Sequence, residues 1–407
     1  MTDETADVRA EVFPMARTCP FAPPEEYRTI RTEQPVARVR MPGDRWAWVI
    51  TRHEDVSAML VDPRFSSDRR DPRFPAQVLG SRPGEDDRRI AKSLITMDGP
   101  EHARVRRAVL GEFSPRRMEA LRPRIQRIVD ERIDAVLAGP RPVDLVRELS
   151  LPVPSTVICE LLGVPSSDDG FFQEQSARML DRSTPGPERI AALMALEAYL
   201  DDLVTAKERN PTEEDLLGRQ ILRGRAAGDY RHGELAELAY LLLLAGYETT
   251  ANMISLGVVA LLENPGQLER IRADPARTPA AVEELLRYFT IAEFTAVRLA
   301  IADVEIGGVS IGAGEGVLGL TYSANRDPDV FENPDDLDVE RGARRHLAFG
   351  LGPHQCLGQS LARIELQVVL DTLFRRIPDL GLAVPVADLP FKDNVSVYGL
   401  HALPVTW

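Results

Sequence analysis

Residues 234–262 constrain this chain more than any other stretch. Leu235, Leu238, Ala239 and Leu242 recur at helical spacing, and the run Leu241–Leu244 makes the helix apolar all round. A helix of that kind has to be enclosed by other elements. Its most apolar part, Leu238–Gly246, is too short to cross a membrane, which takes about 20 residues. The chain is therefore expected to build a large helical domain around a central helix. Helices to enclose it are expected at Glu101–Phe113, Arg116–Leu137, Ser155–Leu162, Asp168–Leu180, Glu188–Glu208, Gln267–Ala273 and Ala280–Phe289. Pro and Gly breakers separate them at Ser114-Pro115, Gly139-Pro140, Gly163-Val164-Pro165 and Thr184-Pro185-Gly186.

The flanks read differently. Residues 1–45 are rich in Pro and Arg and read as an irregular lead-in. A β-like segment at 46–51 precedes a helix at His53–Leu60, and 62–97 are loop-rich. Beyond residue 294, short alternating segments (Ala296–Leu299, Val304–Ile306, Val309–Ile311, Val317–Leu320) read as small strands. An irregular stretch over 325–356 leads into a strong helix from Leu357 to Phe374, and weak strands end the chain. There is no repeat and no clean linker. The expectation is one mainly α domain over 1–407, helical at 100–290 and 357–374, with its small β part from 46–60, 295–320 and 381–407.

Charge removes some function classes. In 407 residues, 49 Lys and Arg face 63 Asp and Glu, a net charge of −14, which argues against general nucleic-acid binding. Cys19, Cys159 and Cys356 form neither a disulfide framework nor a CxxC pair, and the N-terminus lacks an apolar signal-peptide core. A reducing cytoplasm is the expected compartment, with no membrane anchor. Six scattered His show no H-x-x-x-H zinc spacing, and no Gly-x-Ser-x-Gly elbow occurs. Gly312-Ala-Gly-Glu-Gly316 lies between short strands and reads as a turn, so no nucleotide or flavin site is expected.

The sharpest chemical signal is Phe349-Gly-Leu-Gly-Pro-His-Gln-Cys356-Leu-Gly358. Cys356 stands just before a helix, where unpaired N–H groups and the positive dipole end stabilise a thiolate. Gly350, Gly352 and Gly358 permit tight turns or close approach of a flat ligand. A thiolate held this way can ligate haem iron and favour O–O cleavage. The second signal is Ala245-Gly-Tyr-Glu-Thr-Thr250 within the apolar helix. Gly, an acid and two Thr are poor mid-helix choices and imply a local deformation with a polar purpose. Ala245 and Thr249 share one face. The third is Glu284-Leu-Leu-Arg287, whose i,i+3 spacing places acid and base together.

The ten-residue segment resembles the haem-binding loop of the cytochrome P-450 superfamily, F-G-x-G-x-H-x-C-x-G, at every fixed position. The remaining motifs match the same family in order along essentially the whole chain, closest to soluble actinobacterial members acting on macrolides, statin precursors, sterol-like compounds and foreign molecules. The resemblance implies the cytochrome P-450 fold, a triangular helical domain whose long central helix lies over haem b. It implies a monooxygenase that hydroxylates a bulky hydrophobic molecule with O₂. Cys356 would be the axial ligand, set in the loop with Phe349, Gly350 and Gly358. Thr249 would donate a hydrogen bond to dioxygen and order a water, Glu248 would relay protons, and Ala245 and Gly246 would leave room for oxygen and substrate. Close relatives often carry His where this chain has Tyr247. Glu284, Arg287 and Arg341 would be structural, and His102, Arg106, Arg298 and His354 would meet the haem propionates. Substrate would be met by Leu94, Ile95, the Phe171–Ala192 helices, Ile291, Ala292, Phe294 and Val397.

Electrons would come from a ferredoxin and its NAD(P)H reductase. Residues 101–131 hold eight Arg against five acids, and Arg344, Arg345 and Arg363 flank the Cys loop, a basic patch fit to steer an acidic carrier. A monomer is expected. Two other readings remain open: a peroxide-driven peroxygenase or isomerase, and a non-catalytic haem-based sensor.

Overall fold

The computed structural model describes residues 13–41, 45–75, 93–180, 184–292, 295–392 and 397–407. The central helix runs from His232 to Glu263, and every residue from Thr250 to Leu261 is buried. Its start has no side-chain cap, so packing and not local chemistry holds it. Each Leu or Val enclosed there is worth roughly 1.5–3 kcal/mol. Helices Pro152–Leu162, Gly186–Arg209, Thr278–Phe289 and Gln359–Arg376 pack around it. By length and composition it could cross a membrane, with a mean hydropathy of 1.2 over its most apolar window, but 72% of that window is buried inside the protein.

Several elements differ from the sequence expectation, each for a local reason. Arg116–Leu137 is two helices, Pro115–Glu119 and Arg122–Ala138, because Pro123 fits only the first turn of the second. Residues 1–45 are not wholly irregular: Glu25–Glu33 is a helix and Val36–Met41 a strand. Leu216–Ala227 is an unanticipated helix. Asp215 caps it by accepting from the Gly218 N–H at 2.8 Å, and left-handed Gly228 ends it.

The larger sheet positions part of the site. Val36–Met41 pairs antiparallel with Arg45–Ile50, which runs parallel to Gly316–Gly319. Val297–Ala300 follows, antiparallel, and then Phe65–Ser66, with Ser66 opposite Leu299. That register sets Arg298 beside the turn that begins at Ser66. A second sheet joins Val143–Asp144, Pro404–Thr406 and Gly381–Leu382. Val304–Ile306 and Val309–Ile311 form a two-stranded ribbon.

Candidate active site

The Cys loop is fixed by its own backbone. The Gly350 N–H donates to Leu347 O at 2.9 Å, and the Cys356 N–H donates to Phe349 O at 2.8 Å. Gly350 has φ 67° and Gly352 φ 72°, and a Cβ at Gly352 would lie 2.9 Å from Leu60 O, so neither tolerates a side chain. The following helix begins at Gln359, not at Leu357, with Gly358 as its cap. The N–H groups of Gly358 and Gln359 both reach the Cys356 sulfur. Cys356 is exposed, yet burial among surrounding protein atoms pushes its thiol pKa up. The two N–H groups and the positive charges of Arg106 and Arg363 oppose that rise. A thiol that is accessible yet surrounded by protein atoms opens onto internal space. Gly358 points the same way: a methyl there would meet no protein atom within 4 Å, so packing within the chain does not require glycine.

A cluster of basic side chains lies beside this loop. Arg106 donates to Gln355 O at 2.5 Å, and the His102 and His354 rings pack with centroids 4.3 Å apart, tilted by 34°. His102 Nε2 is buried without a partner among the described residues. Burial, with His354 and Arg106 close by, pushes His102 down to about 4. Among the described residues Arg298 donates only to the carbonyls of Thr295 and Val297, at 3.2 and 2.7 Å, and burial pushes it down to about 10. His354 is turned to Ser67 Oγ at 3.2 Å and Asp98 at 3.6 Å. Burial alone would raise the Asp98 carboxyl, but His354, Ser66 and the Ser67 N–H outweigh it and hold it at about 2.

Sequence reasoning missed Arg69 in this cluster. Arg64, Arg70 and Arg73 each pair with the aspartate two residues before them (Asp62, Asp68, Asp71), all at 2.6 Å. Arg69 has no ion pair with a described residue, and burial lowers its pKa. Buried guanidiniums without carboxylate partners are costly. Arg69, Arg298 and the orphaned His102 nitrogen therefore fit an anionic ligand. A flat dicarboxylate with a metal for the Cys356 sulfur, as haem is, suits this donor set.

On the central helix, Ala245 is exposed, and Leu241, Glu248 and Thr249 are half-buried on the same face. Thr249 Oγ1 donates back to Ala245 O at 2.7 Å. Gly246 faces elsewhere: a Cβ there would lie 3.5 Å from Ile158 Cδ1 of Pro152–Leu162, an ordinary contact distance. Tyr247 is buried near Cys159 of that helix, and burial raises its phenol.

Glu284, Arg287 and Arg341 come together. Arg287 Nε and Nη2 each reach a Glu284 oxygen at 2.7 Å, and Arg341 Nε reaches Glu284 Oε1 at 3.2 Å. Arg363 is not free to join a basic patch. It pairs with Glu283 at 2.6 and 3.0 Å and lies 4.6 Å over the Phe349 ring. Burial would raise Glu283, but His346 and Arg363 hold it at about 2. Among the substrate candidates, Leu94 and Ile291 are buried, Ile95 is exposed, and Ala292 and Val397 are half-buried. Phe294 lies outside the described residues.

Comparison with known proteins agrees with this geometry. The Cytochrome P450 family model matches residues 186–377. Cytochrome P450-SU2 of Streptomyces griseolus is 46% identical over 415 residues, covering 100% of this chain and 99% of that protein. The crystal structure of cytochrome P450 MoxA from Nonomuraea recticatena superposes with a TM-score of 0.94 at 57% identity, covering 98% of both chains. Mycinamicin VIII C21 methyl hydroxylase MycCI from Micromonospora griseorubida, bound to mycinamicin VIII, superposes with a TM-score of 0.89 at 41% identity, covering 97% of this chain and 100% of that one. A thiol held by two N–H groups, a buried cluster of basic side chains and likeness along the full length lead to one conclusion: this chain belongs to the cytochrome P450 family.

Proposed function

We propose that this haem-thiolate monooxygenase inserts one oxygen atom of O₂ into a C–H bond of a bulky hydrophobic molecule and reduces the other to water. Cys356 carries this reading, as an exposed thiol enclosed by protein, with the N–H groups of Gly358 and Gln359 on its sulfur. Haem ligated there supplies dioxygen activation and electron transfer to oxygen. Metal ligation ionises a thiol outright, and the two N–H groups then share its negative charge. His102, Arg106, Arg298 and His354 would hold the propionates, joined by Arg69. Phe349, pinned beneath Arg363, would shield the sulfur. On the central helix, the Thr249 hydroxyl would hold a proton beside the oxygen site, and Glu248 would bring protons to it. That acid–Thr pair favours O₂ over peroxide as oxidant.

Size and apolarity of the substrate are supported by Ile95, Ile291, Ala292 and Val397, and by exposed Phe171, Ile190 and Met194 on Asp169–Leu180 and Gly186–Arg209. A macrolide or another large secondary metabolite matches such walls. The test of the haem reading is the absorption spectrum of the dithionite-reduced protein under carbon monoxide. A strongly red-shifted Soret band is expected, and Cys356→Ala should lose it. A Soret band typical of histidine ligation in the wild-type protein would overturn the assignment.

Electrons would come from a cytoplasmic ferredoxin with its reductase, to a monomeric enzyme. Arg107, Arg116, Arg344 and Arg345 are exposed and carry no ion pair with a described residue. Arg107 lies on the helix that Arg106 ties to the Cys loop, and Arg344 leads into that loop. Arg107→Glu and Arg344→Glu should each weaken binding of a small acidic ferredoxin by about fivefold, roughly 1 kcal/mol, with the difference fading at high salt. Titration at two ionic strengths checks this; equal affinity of both variants and wild type at low salt would remove these residues from the docking face.

A further inference from the structure

Lysine is rare here, at Lys92, Lys207 and Lys392 only, yet one of the three is placed on the central helix. Lys392 Nζ donates to Glu248 Oε1 at 2.9 Å and to Asn252 Oδ1 at 3.0 Å. The two acceptors are one helical turn apart, so a single ammonium spans both. The Lys392 and Glu248 side chains are only 12% and 19% exposed. Asn252 Nδ2 is buried without a partner among the described residues, and the bond to Lys392 is what orients the amide.

The segment that brings Lys392 there is itself anchored. Phe391 bridges to Leu400, the Lys392 N–H donates to Gly399 O at 2.8 Å, and the Tyr398 N–H donates to Ile291 O at 2.9 Å. Gly399 lies so close to the central helix that a Cβ would fall 2.2 Å from Asn252 Cγ. Only glycine allows this approach.

We propose that Lys392 is a positioning residue that restrains Glu248. The C-terminal segment holds the carboxylate through an ion pair, and proton delivery requires Glu248 to leave that pair. The inference rests on the reading of Glu248 as the proton carrier. Its consequence is that this segment, which also carries Val397, sets how freely Glu248 moves.

Two measurements on the purified holoprotein test it. Amines are acylated with acetic anhydride and mapped by peptide mass, with Lys207, paired to Asp215, as the internal reference. Glu248→Gln should raise Lys392 acylation about threefold relative to Lys207, the fold-change of one half-buried ion pair. Equal labelling in wild type and Glu248→Gln would overturn the restraint. The second reads reoxidation of the dithionite-reduced protein after mixing with oxygenated buffer, in H₂O and D₂O. Lys392→Met should speed it about threefold and weaken its solvent isotope effect, while Lys392→Arg keeps the wild-type rate. Lys392→Met/Glu248→Gln should match Glu248→Gln alone. If Glu248→Gln slows reoxidation but Lys392→Met changes nothing, the restraint fails and the proton-carrier reading stands. If Glu248→Gln changes neither rate nor isotope effect, the proton-carrier reading fails, and the restraint with it.

Discussion

Arg287→Ala is expected to cost about 3–5 kcal/mol of unfolding free energy and to remove the thiolate haem spectrum at moderate temperature. Arg287 and Glu284 are both fully buried, and their fork-to-fork contact uses both carboxylate oxygens. The same guanidinium donates to Asn325 O at 2.9 Å, Pro334 O at 2.7 Å and Asp336 O at 3.1 Å. Truncation leaves Glu284 to Arg341 and the Asp338 N–H, and takes the Arg287 donor from the Asn325 and Pro334 carbonyls, while Asp336 O keeps Arg341. The loss reaches the Cys loop through Asn325, whose Oδ1 accepts from the Leu347 N–H at 2.7 Å. Leu347 in turn accepts from Gly350. Arg287→Lys keeps the charge but cannot make the fork, so it should lose an intermediate amount, about 1–2 kcal/mol, and stay folded. Glu284→Met/Arg287→Met should recover part of the Ala loss, since no buried charge is left alone. Urea midpoints for the four proteins decide this. A loss under about 1 kcal/mol for Arg287→Ala would mean the pair is not what fixes this region.

What the sequence revealed and what it concealed divide along physical lines. The Cys loop was legible because its chemistry is local: thiol, turn glycines and helix cap lie within ten residues, Phe349–Gly358. Glu284 and Arg287 were legible from helical spacing, although spacing alone could not distinguish a buried pair from a surface one. Arg69 was hidden because finding it means knowing which neighbouring arginines are already paired. The Asp-x-Arg repeats at 62–73 hold that signal, but only side-chain geometry makes it decisive. Lys392 was hidden for a different reason, since 144 residues separate it from Glu248 and no periodicity links them. The side to which Gly246 turns, toward Ile158, was likewise not legible in the motif, because it depends on which helix packs there. The helix Leu216–Ala227 had its signals in plain view, an Asp cap and a terminal Gly, but only a weak apolar stripe between them.

Glu365→Gln should make the protein more stable at neutral pH, the reverse of most changes to a buried residue. Glu365 sits in Gln359–Arg376, the helix that follows the Cys loop and is packed by Arg122–Ala138, Thr278–Phe289 and the central helix. It is 2% exposed, its Oε2 has no partner among the described residues, and burial pushes its carboxyl up from 4.5 to about 8. The folded state therefore keeps a proton that the unfolded chain releases near its ordinary value. Between those two values the unfolded state binds fewer protons, so stability falls as pH rises, by about 1.4 kcal/mol per unit. Below 4.5 both states are protonated, and above 8 both are ionised, so the slope vanishes outside that window. By pH 7 the accumulated loss approaches roughly 3 kcal/mol. Gln keeps the shape and cannot ionise, so Glu365→Gln should match wild type near pH 4.5 and exceed it by up to about 3 kcal/mol at pH 7. Glu365→Met, which also removes the unpartnered oxygen, should gain at least as much. Urea unfolding of the holoproteins at pH 5 and pH 8 reads the difference directly, because the haem contribution is common to all three. Parallel curves for wild type and Glu365→Gln across that range would show that Glu365 is ionised in the folded protein, held by a partner for its charge.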